Sequence, residues 1–133
     1  MRLILASLAL AAAAIPAWGQ HVMPREQTFR RSVQAGQELR VFTYARWHKD
    51  CRPIDPPQIV LRTPPAHGTV SLRPGPSTVS QIREGMPDCT GRTYEGIGVW
   101  YAPAPGFRGV DQFDWTILDA SSTSHDSAIV EVK

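Results

Sequence analysis

Apolar residues in this chain recur at every second position, in short runs separated by proline and glycine. That is the periodicity of β-strands. Residues 112–118 show it most cleanly, with Phe113, Trp115 and Ile117 alternating against Gln112, Asp114 and Thr116. Residues 128–132 set Ala128, Val130 and Val132 against Ile129 and Glu131, a final strand expected to close a sheet. Residues 58–62 (QIVLR) and 97–102 (IGVWYA) are β-branched and aromatic, and residues 68–72 place Val70 and Leu72 opposite Thr69 and Ser71. Weaker strands are predicted over 28–33 and 78–83. Residues 38–47 carry Leu39, Val41 and Thr43 on one face and Arg40, Phe42, Tyr44 and Arg46 on the other, which predicts a central strand covered on both sides. A turn is expected at 34–37, long polar loops at 50–57 and 84–96, and a solvated loop at 121–126. Pro and Gly, 12 and 10 in all, recur every few residues through much of the chain, and no stretch of the mature chain reads as a helix. Seven to eight strands in about 105 residues predict an all-β fold, an immunoglobulin-like β-sandwich of antiparallel strands.

The N-terminus is built differently. Arg2 precedes an apolar run from Leu3 to Ile15 broken only by Ser7, then Pro16 and Ala17-Trp18-Gly19. A basic start, an apolar stretch of about 7–15 residues and small residues at the cleavage point make a secretory signal peptide. The run is shorter than the ~20 residues a spanning helix needs. Cleavage after Gly19 gives a signal peptide at 1–19 and one domain at 20–133, with no membrane insertion after cleavage and a monomer expected. The absence of cysteine at the cleavage point disfavours a lipid anchor.

Cleavage also changes the charge. The full chain carries 14 basic and 12 acidic residues, and loss of Arg2 leaves a net charge of +1. The arginines are dispersed, with only Arg30 and Arg31 adjacent, so no patch for nucleic acid forms. Export bears equally on the two cysteines, Cys51 and Cys89. In an oxidising compartment two cysteines predict one disulfide. Closing a loop of roughly 39 residues stabilises by about 4 kcal/mol on the chain-entropy model. No C-x-x-C spacing supports a redox or metal site instead.

A further pattern lies in the second half. Pro65-Ala66-His67-Gly68-Thr69-Val70 is followed by Val99-Trp100-Tyr101-Ala102-Pro103 and then by Gly106-Phe107-Arg108-Gly109-Val110-Asp111-Gln112-Phe113-Asp114-Trp115. This series resembles the bacterial immunoglobulin-like and cadherin-like repeats of large surface proteins, over roughly the last half to two-thirds of the mature chain. The resemblance implies a β-sandwich whose Gly106, Phe107, Gly109, Asp111 and Phe113 are structural. Phe107 tucks a hairpin onto the core, Gly109 permits positive φ, and Asp111 caps backbone amides instead of binding a metal. The chain departs from those repeats in its single copy, its two cysteines and its lack of acidic calcium-linker motifs.

Candidate chemistry is sparse. The four histidines, His21, His48, His67 and His125, show no metal-ligand spacing. A copper reading requires His21 at the mature N-terminus, which needs cleavage after Gln20. Ser124, His125 and Asp126 adjoin in sequence, but a triad needs convergence in space. Glu84, Asp88 and Glu95 have no supporting catalytic pattern. No cofactor is expected. The segment Trp47-His48-Lys49-Asp50-Cys51-Arg52 gathers an aromatic and three bases beside the bridge. Trp47, His48, Lys49, Arg52 and Trp100 are therefore the candidate partner contacts. The expected function is a non-catalytic exported module that touches a protein or glycan of the cell envelope, with copper or carbohydrate binding as the alternative.

Overall fold

A computed structural model describes residues 26–81 and 88–133. The expected leader, His21 and Glu84 lie outside those residues. Every regular element described is a strand: β1 (Glu26–Val33), β2 (Leu39–Tyr44), β3 (Arg46–Trp47), β4 (Pro53–Ile54), β5 (Gln58–Thr63), β6 (Gly68–Thr78), β7 (Thr93–Pro103), β8 (Gly109–Leu118) and β9 (Thr123–Val132). They form a four-stranded sheet β1-β9-β8-β5, a three-stranded sheet β2-β7-β6 and a small hairpin β3-β4. The two larger sheets share one core. Val41, Val99 and Tyr101 from one meet Phe29, Ile59, Phe113, Trp115, Ala128 and Val130 from the other.

The period-2 pattern placed the core residues of β8 and β9 on the buried face, where Phe113, Trp115, Ile117, Ala128, Val130 and Val132 all lie. Several other expectations are corrected. The strands are not all antiparallel: β1 runs parallel to β9 from Glu26↔His125 to Val33↔Val132. The turn at Ala35-Gly36, with Gly36 at φ 79°, sends the chain into the other sheet, so β1 has only the C-terminal strand as neighbour. β9 is thus an inner strand between β1 and β8, not a closing edge. For the same reason Phe107 caps a crossover between sheets, not a hairpin, since β7 and β8 belong to different sheets.

β2 is an edge strand, and the central strand of its sheet is β7. A bulge between Arg40 and Phe42 adds one residue to β2. A bulge of this kind exchanges the two faces of a strand. Phe42 and Tyr44 therefore join Val41 at the core, and Thr43 turns to the other side beside Gly98. Pro74-Gly75-Pro76, which lies between the expected 68–72 and 78–83 strands, continues β6 opposite Ile97, Gly96 and Glu95. β6 is an edge, where proline is tolerated because no amide need be donated on the open side. β7 correspondingly begins at Thr93 inside an expected loop, and β6 ends at Thr78, where the expected 78–83 strand was to begin. β9 begins at Thr123 and absorbs most of the expected loop at 121–126.

Candidate functional site

The core is organised around a row of aromatic rings. Tyr44 packs edge-on to Phe42 at 4.9 Å between centroids, and Phe42 stacks on Phe29 at 4.8 Å. Phe29 stacks on Trp115 at 6.0 Å, Trp115 meets Phe113 at 5.6 Å, and Phe113 stacks on Tyr101 at 5.6 Å. The row begins and ends in a tyrosine, and each tyrosine donates its hydroxyl to a buried aspartate.

At one end Tyr101 donates to Asp111 Oδ2 at 2.8 Å. The same carboxylate accepts the backbone N–H of Ala66, His67 and Gln112, each at 3.0 Å. Both oxygens are thus saturated by groups of the protein. His67 stacks on Phe107 at 4.3 Å, and Gly106 and Gly109 take the positive φ values of 79° and 133° that carry the chain from β7 to β8. A side chain on Gly68 would collide with the Tyr101 ring and the Ala102 carbonyl, so the strand can pass here only without one. Burial and the hydrogen bond to Asp111 push the Tyr101 phenol well above its ordinary value.

At the other end Tyr44 donates to Asp126 Oδ2 at 2.5 Å and accepts from the Trp115 indole N–H at 2.9 Å. Gln27 N–H supplies Asp126 Oδ1 at 3.0 Å. Burial first, and then the Asp126 carboxylate, raise the Tyr44 phenol well above its ordinary value. Among the described residues nothing closes this end. A cleft of about 870 Å³ opens along it, with Thr43, Arg46, Trp47, Ser77, Asp119 and Asp126 in its walls. Arg46 is ion-paired with Asp119 and also donates to the Asp55 carbonyl. Two buried groups of wall residues, the Thr43 hydroxyl and the Trp47 indole N–H, have no hydrogen-bond partner.

The disulfide joins Cys51 to Cys89 with the Cα atoms 5.6 Å apart. It holds the β3-β4 hairpin against β7, outside the shared core. Tyr94 donates to the Cys51 carbonyl at 2.8 Å, and Trp47 stacks on Tyr94 at 5.1 Å with the rings 12° from parallel. Trp47 therefore reaches the cleft wall as a braced, half-buried platform. His48, Lys49 and Arg52 lie exposed on the hairpin tip, where Arg52 pairs with Asp50 at 2.6 Å. That hydrogen bond to Arg52 holds the Asp50 carboxyl below the usual carboxylate range. Trp100 is separate. It stands six residues along β7 from Tyr94, roughly 20 Å at strand rise, with its indole over Gly98 and the Arg73 guanidinium 5.0 Å from its ring. Glu38 holds that guanidinium through two hydrogen bonds of 2.6 and 3.0 Å. Of the five candidate contacts, only Trp47 lines the cleft.

Of the wall residues, Thr43, Arg46, Ser77, Asp119 and Asp126 are not among the candidate contacts that the sequence offers. Asp126 had a signal. Extending the alternation of Ala128, Val130 and Val132 back by one step puts Asp126 on the buried face. Its 7% exposure corrects the expected solvated loop at 121–126. His125 points away from it and meets Thr116 at 3.1 Å on the opposite face of the strand. Among the described residues no group of three or more His, Cys, Asp or Glu is arranged to hold a metal, and no helix is long and apolar enough to cross a membrane. Comparison with protein-family models, with curated proteins and with solved structures finds no match for this chain.

Proposed function

We propose that this protein is a non-catalytic, exported module of immunoglobulin-like sandwich architecture that works by contact with a protein or glycan of the periplasm or cell surface, through the open end of its fold. The observation that carries this reading is the cleft itself. It is built beside a rigid aromatic platform, and two of its wall residues hold buried polar groups without partners. Buried polar groups are nearly always satisfied, and exceptions call for a functional account.

Other features support the same reading. The intramolecular disulfide fits an oxidising compartment outside the cytoplasm, in keeping with the leader pattern. Both cleft carboxylates are engaged by the protein, Asp119 by Arg46 and Asp126 by Tyr44 and Gln27. Neither is left to act as a general acid or base, which favours contact over catalysis.

The test is sedimentation of the purified, oxidised protein with cell-envelope fractions. Binding is expected for the wild type and for Trp100→Ala, and its loss for Trp47→Ala. Binding that depends on Trp100 and not on Trp47 would move the site off the cleft and overturn the proposal.

A further inference from the structure

We infer that the cleft carries an oxyanion site, formed by Arg31 and Arg40, that takes a phosphate monoester group; this rests on the reading of the cleft as the contact site. The sequence disperses its arginines, and the fold brings these two together. Arg31 lies on β1 and Arg40 on β2, in different sheets, and both line the cleft. Arg31 donates from Nε to the Val41 carbonyl at 3.3 Å, and Val41 directly follows Arg40. One peptide unit therefore separates Arg40 from the group that fixes Arg31, well within the reach of an arginine side chain. The β2 bulge falls at this point, between Arg40 and Phe42. Bulges re-aim side chains and are frequent beside functional sites.

Unmatched charge is the first property that defines the ligand. Among the described residues no carboxylate lies within ion-pairing distance of Arg31 or Arg40. The nearby acids are engaged elsewhere: Asp126 by Tyr44 and Gln27, Asp119 by Arg46, and Glu38 by Arg73. The second property is a guanidinium already held in place. Arg31 Nη1 donates to the Arg30 carbonyl at 3.0 Å, and the guanidinium carbon stands 5.3 Å from the centre of the Phe29 ring, a member of the aromatic row. Of its five N–H groups, two go to carbonyls of the described residues and three are left for a ligand. Neutral carbonyls orient the group without cancelling its charge, so little freedom is lost when an oxyanion docks. Arg40 is exposed and can swing onto the same oxyanion. A phosphate monoester carries about −1.5 to −2 charges at neutral pH and three acceptor oxygens, enough for two guanidinium groups. A carboxylate has one charge and two oxygens in one plane, which a single guanidinium fork satisfies. A neutral molecule would leave both charges to water. Free phosphate and the phosphate of a sugar share the chemistry that fits.

The experiment follows the arginine Nε–H signals of the ¹⁵N-labelled, oxidised protein during titration with inorganic phosphate, glucose 6-phosphate and acetate. Saturable shifts of Arg31 and Arg40 are expected with both phosphates and not with acetate. Arg31→Gln and Arg40→Gln should each weaken phosphate binding about tenfold, the worth of one charge-assisted hydrogen bond. Arg31→Lys keeps the charge but not the fork, and should weaken it as well. Arg62→Gln removes the same charge from β5, at the other edge of the sheet from β1, and should leave binding unchanged. Arg40→Gln, at an exposed position, should hold the melting temperature, so its loss of affinity is not a loss of fold. Tighter binding of glucose 6-phosphate supports the site with a phosphorylated sugar as its ligand, and equal binding supports it with phosphate itself. No saturable phosphate shift, acetate held as tightly as phosphate, or the same loss in Arg62→Gln as in the two cleft variants overturns the inference. Sedimentation with envelope fractions judges the contact reading separately. Sedimentation without phosphate binding overturns the oxyanion site alone, and phosphate binding without sedimentation supports the site and overturns the contact reading.

Discussion

The two ends of the aromatic row use the same chemical pair to different effect. Tyr101 with Asp111 and Tyr44 with Asp126 are each a phenol donating to a buried carboxylate. Around Asp111 three backbone amides complete the carboxylate, and Phe107 with His67 covers the connection. Around Asp126 a single amide contributes, and the structure opens into a cleft with two unsatisfied groups in its wall residues. A buried aspartate is therefore not by itself a sign of function. What separates a clasp from a site is whether the protein has used up the hydrogen-bonding capacity around it.

The sharpest way to break this comparison is to remove each carboxylate. Asp111→Ala strands three part-buried amides and a buried phenol, and should cost on the order of 4 kcal/mol. Asp126→Ala strands one amide and one phenol beside an open cleft where water can enter, and should cost about 2 kcal/mol. Urea unfolding of both variants measures the gap. Equal losses would mean that the two ends are equivalent.

Removing the disulfide as Cys51→Ser with Cys89→Ser comes next. The chain-entropy model caps the loss near 4 kcal/mol, and measured bridges commonly give about 2–4. The shared core contains neither cysteine, so the sheets should persist by circular dichroism. The Trp47–Tyr94 stack should loosen, giving greater quenching of tryptophan fluorescence and weaker ligand binding. A protein that unfolds outright would show that the hairpin is part of the core's stability and not an arm laid on it.

The tyrosines give a pH signature. Both are raised above the ordinary phenol value near 10. The folded protein thus holds these protons more tightly than the unfolded chain. Their contribution is complete below pH ~10 and falls as pH rises beyond it, because the unfolded chain ionises first. Stability should decline above pH ~10, less steeply in Tyr44→Phe and in Tyr101→Phe. Phenolate absorbance from both residues should appear only with unfolding; early titration of Tyr44 alone would mark its end as wetter than the geometry implies. The smallest effect on stability is that of Trp47→Phe, about 1 kcal/mol, since the smaller ring keeps part of the stack on Tyr94 and the indole N–H has no partner to lose.

The sequence shows the frame of this fold more readily than its site, for reasons that specific residues make plain. Phe113, Trp115, Ile117, Val130 and Val132 follow strict alternation in strands without bulges between them, so their faces could be read directly. Tyr44 and Thr43 could not be placed that way, because the extra residue in β2 reverses the alternation after Arg40. Pro74 and Pro76 interrupt the expected strands, because their tolerance on an edge depends on which strand lies outermost, a fact of sheet order. The two cysteines were legible by count. That their bridge would brace Trp47 through Tyr94 was not, since Tyr94 lies 43 residues from Cys51 and the two meet only through β7.

The most direct measurement is an NMR titration of the ¹⁵N-labelled oxidised protein with the solubilised cell-envelope fraction that it is expected to bind. The account predicts a saturable shift of the Trp47 indole N–H and of the Thr43 and Ser77 amides, with the Ala66, His67 and Gln112 amides on Asp111 unmoved. Shifts centred on those Asp111-bound amides or on Trp100, with Trp47 silent, would contradict it.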